Sequence, residues 1–188
     1  MKILLLVNYD SFTYNLYHYL QQLTSFQIDV IRNDEIYLNE IEIYQSIVLS
    51  PGPGLPNEAG LMMEVIKQYV ATKKILGVCL GMQAIVQHFG GTLKNLQTVQ
   101  HGVSRLTHVM QPDALYKDIP ADFYCGRYLS WVVNETNLPD ELNITAVDTM
   151  GNIMSVEHKS LPCYGVQYHP ESVMTPMGKQ ILKNWLML

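Results

Sequence analysis

The chain has 188 residues, 48% hydrophobic and 15% charged, a balance that suits a soluble globular protein with a substantial core and excludes a disordered or fibrous one. A formal charge of −5 with no basic run excludes a general nucleic-acid binder, which needs clustered Lys and Arg to neutralise phosphates. Three cysteines (Cys79, Cys125, Cys163) without CxxC spacing speak against a disulfide framework or a zinc site and favour a reducing cytoplasm.

The opening "MKILLLVNYD" holds one Lys and an apolar run too short for a signal peptide, so residues 2–7 read as a first strand closed by the polar "NYDS". No apolar stretch approaches the ~20 residues needed to cross a bilayer, so no membrane partner is expected. Phe12, Leu16, Tyr19, Leu20 and Leu23 recur at helical spacing. "IDVIR" (28–32) and "SIVLS" (46–50) are the next strands, the second closed by the breaker-rich "PGPGLP". Met62, Val65, Ile66 and Tyr69 mark a second helix face, "ILGV" (75–78) a strand, and Met82, Ile85, Val86 and Phe89 a third helix.

Strands alternating with helices of this length imply right-handed βαβ crossovers and an α/β fold: a mainly parallel, twisted sheet covered by helices on both faces. From about residue 92 turn residues become denser. "GVSRLTHV", "FYCGRY", "NITAVDT" and "NIMSVEH" predict antiparallel strands that join the sheet or form a flap. A buried strand returns at "YGVQYH" (164–169). Thr175 and Pro176 then predict the N-cap and first turn of a last helix, which buries Ile181, Leu182, Trp185 and Leu186. With no linker or repeat, residues 1–188 read as a single domain.

Chemistry concentrates at strand ends. In open parallel sheets ligands bind outside the carboxyl ends of the strands, where helix amides point into the crevice. Cys79 in "ILGVCLGMQAI" falls on such a strand-to-helix turn between Gly77 and Gly81, as in a nucleophile elbow. A helix N-terminus favours a thiolate, and the Leu80 amide can help hold an oxyanion. On "GVCLG" alone a small buried core residue is an equally good reading. A thiol nucleophile also needs a base and an orienting acceptor. "GVQYHPES" supplies His169, expected at a cleft rim, with Glu171 two residues on. The other histidines (18, 88, 101, 108, 158) show no comparable partner, and Cys125 and Cys163 read as structural. Finally, "LSPGPGLPNEAG" contains Gly52, Pro53 and Gly54, a turn able to present backbone N–H groups; no GK[ST] follows, so it is not a P-loop.

The cysteine elbow, the PGPG loop and the H-P-E turn together make the chain resemble the class I (triad) glutamine amidotransferases over essentially its whole length. That resemblance implies a flavodoxin-like architecture, with Cys79 as nucleophile, His169 as general acid/base and Glu171 as its orienter. It also implies oxyanion-hole amides at Gly52 and Leu80, and glutamine contacts from the PGPG loop (Pro53, Gly54), Gln83, Ser130 and Trp131. "NYDSFTYNL" (8–16) and "VIRND" (30–34) are similar to the amidotransferase subunit of anthranilate synthase and of 4-amino-4-deoxychorismate synthase. The usual pattern of that branch has Asp at Val7, Lys at Val103 and His-Ser-Leu at Leu129–Ser130–Trp131. The implied partners are L-glutamine and a separate chorismate-binding synthase subunit. No cofactor is implied in this chain, and Mg²⁺ is expected in the partner. The alternatives are a stand-alone cysteine hydrolase of γ-glutamyl substrates and a docking-only regulatory subunit.

Overall fold

The structure, a computed structural model, describes residues 1–112 and 114–188. The first half follows the alternation of the sequence: β1 (Lys2–Val7), α1 (Thr13–Leu23), β2 (Gln27–Arg32), β3 (Ser46–Leu49), α2 (Met62–Tyr69), β4 (Lys74–Val78) and α3 (Leu80–His88). The second half adds β5 (Leu93–Val109), β6 (Asp122–Val133), β7 (Leu142–Asp148), β8 (Ile153–His158), β9 (Cys163–Val166) and α4 (Gly178–Met187). Among the described residues one sheet carries every strand, in the order β2-β1-β3-β4-β9-β8-β7-β5-β6. The first five run parallel and the rest pair antiparallel, so β5 to β8 extend the sheet rather than hanging over it.

Side chains alternate across a strand, and here both faces are covered. Ile3 and Leu5 face the layer that holds Leu16 and Leu20 of α1 with Ile181, Leu182 and Trp185 of α4. Leu4 and Leu6 face Met62, Val65 and Ile66 of α2. This explains why β1 is a continuous apolar run. Each such Leu or Ile, once fully buried, contributes roughly 1.5–3 kcal/mol. Among the described residues no helix is long and apolar enough to cross a membrane.

Three local readings change. First, α3 buries more than the Met82, Ile85 and Val86 that marked it: every residue from Leu80 to Val86 is buried, because the helix is packed against the sheet and α2 and also reaches β6 and β9. Second, α4 begins at Gly178 instead of at Thr175–Pro176, and Leu186 is only half-buried. Thr175 is held elsewhere: its hydroxyl donates to the His169 carbonyl (2.7 Å) and accepts the Gly126 N–H (3.0 Å), tying the H-P-E turn to β6. Third, β9 ends at Val166, short of the expected residue 169. The Gln167 N–H still bonds Met154 O in β8 (2.8 Å), the strand already beside β9, but by His169 the chain has changed partners and its N–H goes to Gly126 O in β6 (3.1 Å).

An Arg–Asp ion pair is enclosed within the sheet region. Arg127 of β6 donates to Asp148 at 2.6 Å, with 2% and 1% of the two side chains exposed. Burial pulls the Asp148 carboxyl up, but the Asn152 donors and Arg127 outweigh it and hold the pKa below its ordinary value. The pair anchors β6 immediately beside Gly126 and Tyr128, both of which touch the site described next.

Candidate active site

The parallel register of β4 and β9 pairs Val78 with Val166. The residues that follow them, Cys79 and Gln167, therefore emerge side by side at the carboxyl end of the sheet. Cys79 adopts φ 53°, ψ −103°, a region that non-glycine residues enter only under constraint. The constraint is visible on both sides: its N–H is held by Val166 O at 2.8 Å, and its carbonyl takes the Gln83 N–H at 3.1 Å. The flanking glycines are required by contact. A Cβ on Gly77 would lie 2.4 Å from the Gly81 backbone, and one on Gly81 would lie 2.5 Å from Leu49 O. The thiol is thus presented at a sharp turn, and the first amides of α3, Leu80 among them, have no preceding helical carbonyl to satisfy them.

His169 Nδ1 and Glu171 Oε1 are 2.7 Å apart, with 3% and 0% of the two side chains exposed. The expected rim position is therefore corrected: the pair is buried, with the imidazole packed on Tyr128 (ring centroids 4.9 Å) and edge-on to Phe12 (6.0 Å). Engagement of Nδ1 leaves Nε2 without a hydrogen-bond partner, in a cavity of about 310 Å³ that it shares with Cys79. Burial works against charge on this ring. The Cys79 sulfur and the Glu171 carboxylate outweigh it and push the imidazole pKa up to about 11.

A second cavity, of about 160 Å³, opens on the other flank of Cys79 and is lined by Gly52, Pro53, Gly54, Leu80, Gln83, Ser130 and Trp131. Every residue expected to contact glutamine therefore meets in one place. Gln83 is buried, and its Nε2 donates to Trp131 O at 2.8 Å. Trp131 and Leu129, two of the departures from the usual branch pattern, also line this cavity. The PGPG loop is held by Asn8 at the end of β1, whose N–H and side-chain amide donate to Ser50 Oγ and Ser50 O, both at 2.8 Å. A Cβ on Gly52 would stand 2.4 Å from Asn8 O, an atom fixed by those bonds. Gly52→Ala should therefore displace the loop. The expected cost is about 1–3 kcal/mol of stability, with at least a tenfold loss of glutamine turnover. Urea melts and a glutamate-release assay measure the two, and a variant unchanged in both would show that the loop tolerates movement.

Several participants are not evident from the motifs. Asp10 lines the His169 cavity; burial raises its carboxyl and the nearby His169 pulls it back. His101 and Tyr128 line the same cavity, and the Tyr128 carbonyl lies 4.0 Å from the Cys79 sulfur. His108 does have a carboxylate partner, Asp122, but on the β5–β6 hairpin, where both side chains are substantially exposed. Cys125 and Cys163 are 0% and 1% exposed, and burial pushes the Cys163 thiol up to about 12. Among the described residues no three His, Cys, Asp or Glu side chains converge in a way that could hold a metal ion.

A doubly covered parallel sheet with a strained cysteine elbow beside a buried His–Glu pair has the make-up of a thiol enzyme. The family model "Glutamine amidotransferase class-I" matches residues 4–188. Anthranilate synthase component 2 of Azospirillum brasilense is 44% identical, covering 98% of this chain and 94% of its own length. Aminodeoxychorismate/anthranilate synthase component 2 of Bacillus subtilis is 41% identical, covering 98% and 95%. Among solved structures, that of a candidate GMP synthase subunit from Thermoplasma acidophilum matches with a TM-score of 0.89 and 25% identity, over 100% of this chain and 92% of that one. The chain belongs to the class I glutamine amidotransferases and is an enzyme of that kind.

Proposed function

We propose that the chain is the glutaminase subunit of a two-component synthase. It would hydrolyse L-glutamine and pass ammonia to a chorismate-binding subunit, for anthranilate, for 4-amino-4-deoxychorismate, or for both. The observation that carries this is the position of Cys79, which lies between a cavity lined by Gly52, Leu80 and Gln83 and a cavity holding His169. The relatives' names support the choice of partner.

In this reading the side-chain amide of glutamine enters the first cavity, with its carbonyl oxygen toward the Gly52 and Leu80 N–H groups. The Cys79 sulfur attacks the amide carbon, a C–S bond forms, and negative charge on oxygen is held by those amides. His169, protonated and oriented by Glu171, gives its Nε2 proton to the departing nitrogen as the C–N bond breaks, and ammonia leaves. The neutral imidazole then takes a proton from water as the water oxygen attacks the γ-glutamyl thioester. The C–S bond breaks, glutamate departs and the sulfur anion returns beside the imidazolium. Mg²⁺ belongs, in this proposal, to the partner subunit, and the pair would work in the cytoplasm.

Reconstitution tests the reading. The chain is mixed with each candidate synthase subunit, chorismate, Mg²⁺ and glutamine, and the aromatic product is identified by mass. Anthranilate, aminodeoxychorismate or both would assign the branch. Glutamine hydrolysis with no aminated product would overturn the partner assignment and leave the thiol chemistry standing.

A further inference from the structure

Gln167 lies within "GVQYHPES" but has been given no role so far, yet it is fully buried and touches the reacting sulfur: its Nε2 lies 3.5 Å from Cys79 Sγ. Which end of an amide faces a neighbour must be argued from the neighbour's chemistry, and here the chain of bonds leaves one answer. The carbonyl of Trp131 can only accept, so the group facing it at 2.8 Å is the Gln83 Nε2. That same nitrogen lies 3.2 Å from Gln167, so the Gln167 end facing it is the oxygen. The opposite end of Gln167, the one turned to Cys79, is then the donor. A main-chain carbonyl thus sets the polarity of two successive side-chain amides and ends by presenting an N–H to sulfur.

We propose that Gln167 is a further catalytic residue, whose amide N–H holds the Cys79 sulfur in its anionic form, aligned by Trp131 through Gln83. The proposal rests on Cys79 being the nucleophile. A donor of this kind bonds an anion much more strongly than a neutral thiol or a thioester sulfur. It therefore acts whenever the sulfur carries the charge: as the sulfur attacks glutamine, and during deacylation, when the C–S electron pair returns to sulfur. The other charged or titratable groups around Cys79 are His169, with Glu171 behind it, and Asp10, His101 and Tyr128 in the shared cavity. Of these, the His169 imidazolium also favours negative charge on the sulfur, so the loss of Gln167 weakens the anion without abolishing it.

The test uses Gln167→Met, which keeps the volume and removes the donor, and Gln167→Glu, which turns an acceptor toward the sulfur. Iodoacetamide alkylation of Cys79 is followed from pH 5 to 10 on the whole chain, with the site located by mass. Each variant should shift the alkylation profile upward, by about one pH unit for Met and further for Glu. In glutamine turnover, Gln167→Met should lower kcat about tenfold and lower KM with it, because the thioester accumulates when its sulfur leaves poorly. If Met prevents folding, Gln167→Asn, too short to reach the sulfur, carries the same expectation. A wild-type alkylation profile in the folded variants overturns the proposal. Because alkylation needs neither glutamine nor a partner, a failure of the reconstitution above is distinguishable from a failure here.

Discussion

Cys79→Ser is expected to remove glutamine-dependent amination, by on the order of 10³-fold or more, while synthesis from added ammonium in the complex with the partner stays intact. Serine has nearly the same shape, so the elbow at φ 53° and its bonds to Val166 and Gln83 persist. What is lost is nucleophilicity: a hydroxyl is much weaker than a thiol that keeps a usable thiolate fraction near neutrality. Ammonium, in the proposed division of labour, bypasses this chain's chemistry and reaches the partner directly. Equal loss of both activities would contradict that division. The same variant gives a chemical control. Cys125 and Cys163 are 0% and 1% exposed and line neither cavity of the site, whereas Cys79 lines both, and burial raises the Cys125 and Cys163 thiols above their ordinary pKa. The native protein should therefore take up one alkyl group with iodoacetamide, and Cys79→Ser should take up none. A second adduct would place one of the other thiols within reach of solvent.

What the sequence makes legible is whatever is local. "GVCLG" exposes the elbow because the glycines that a tight turn requires are neighbours of the cysteine. "HPE" exposes the acid–base pair because its hydrogen bond spans two residues. The same locality makes β1 to β4 readable to within a residue. Strand order is different, because no short stretch encodes which strand lies beside which. The pairing of β4 with β9 brings Cys79 against Gln167 across 88 residues of chain, so Gln167 reads as an ordinary strand residue until the register is known. Thr175 followed by Pro176 has the local chemistry of a helix start. Its hydroxyl is claimed by the His169 carbonyl and the Gly126 amide, and that tertiary pull moves the helix start to Gly178. The burial of His169 is illegible for a related reason: the turn that carries it docks on β6, a strand more than 30 residues away in the sequence.

That burial changes what His169→Ala should do. A histidine at a cleft rim could be truncated at little cost to the fold. Here the imidazole is the partner of Glu171, whose side chain is 0% exposed and whose other oxygen, Oε2, has no hydrogen bond. Removing the ring strands a buried carboxylate, and breaking a buried pair from one side typically costs about 3–5 kcal/mol. His169→Ala should therefore lose glutamine turnover and also unfold at clearly lower urea. His169→Ala/Glu171→Ala removes the stranded charge as well. It should be more stable than the sum of the two single losses predicts, by about 1–3 kcal/mol, while remaining inactive. The pH dependence supplies a second readout. The folded pKa of His169 is raised, so its contribution to stability is fully present below the unfolded value of about 6.5 and falls as pH rises. It is gone once pH passes the folded value of about 11. Wild type should lose stability across that window relative to the double variant, in which neither partner remains. Parallel stability curves from pH 6 to 11, together with strictly additive single losses, would mean that the His169–Glu171 pair does not hold the fold and that His169 serves the chemistry alone.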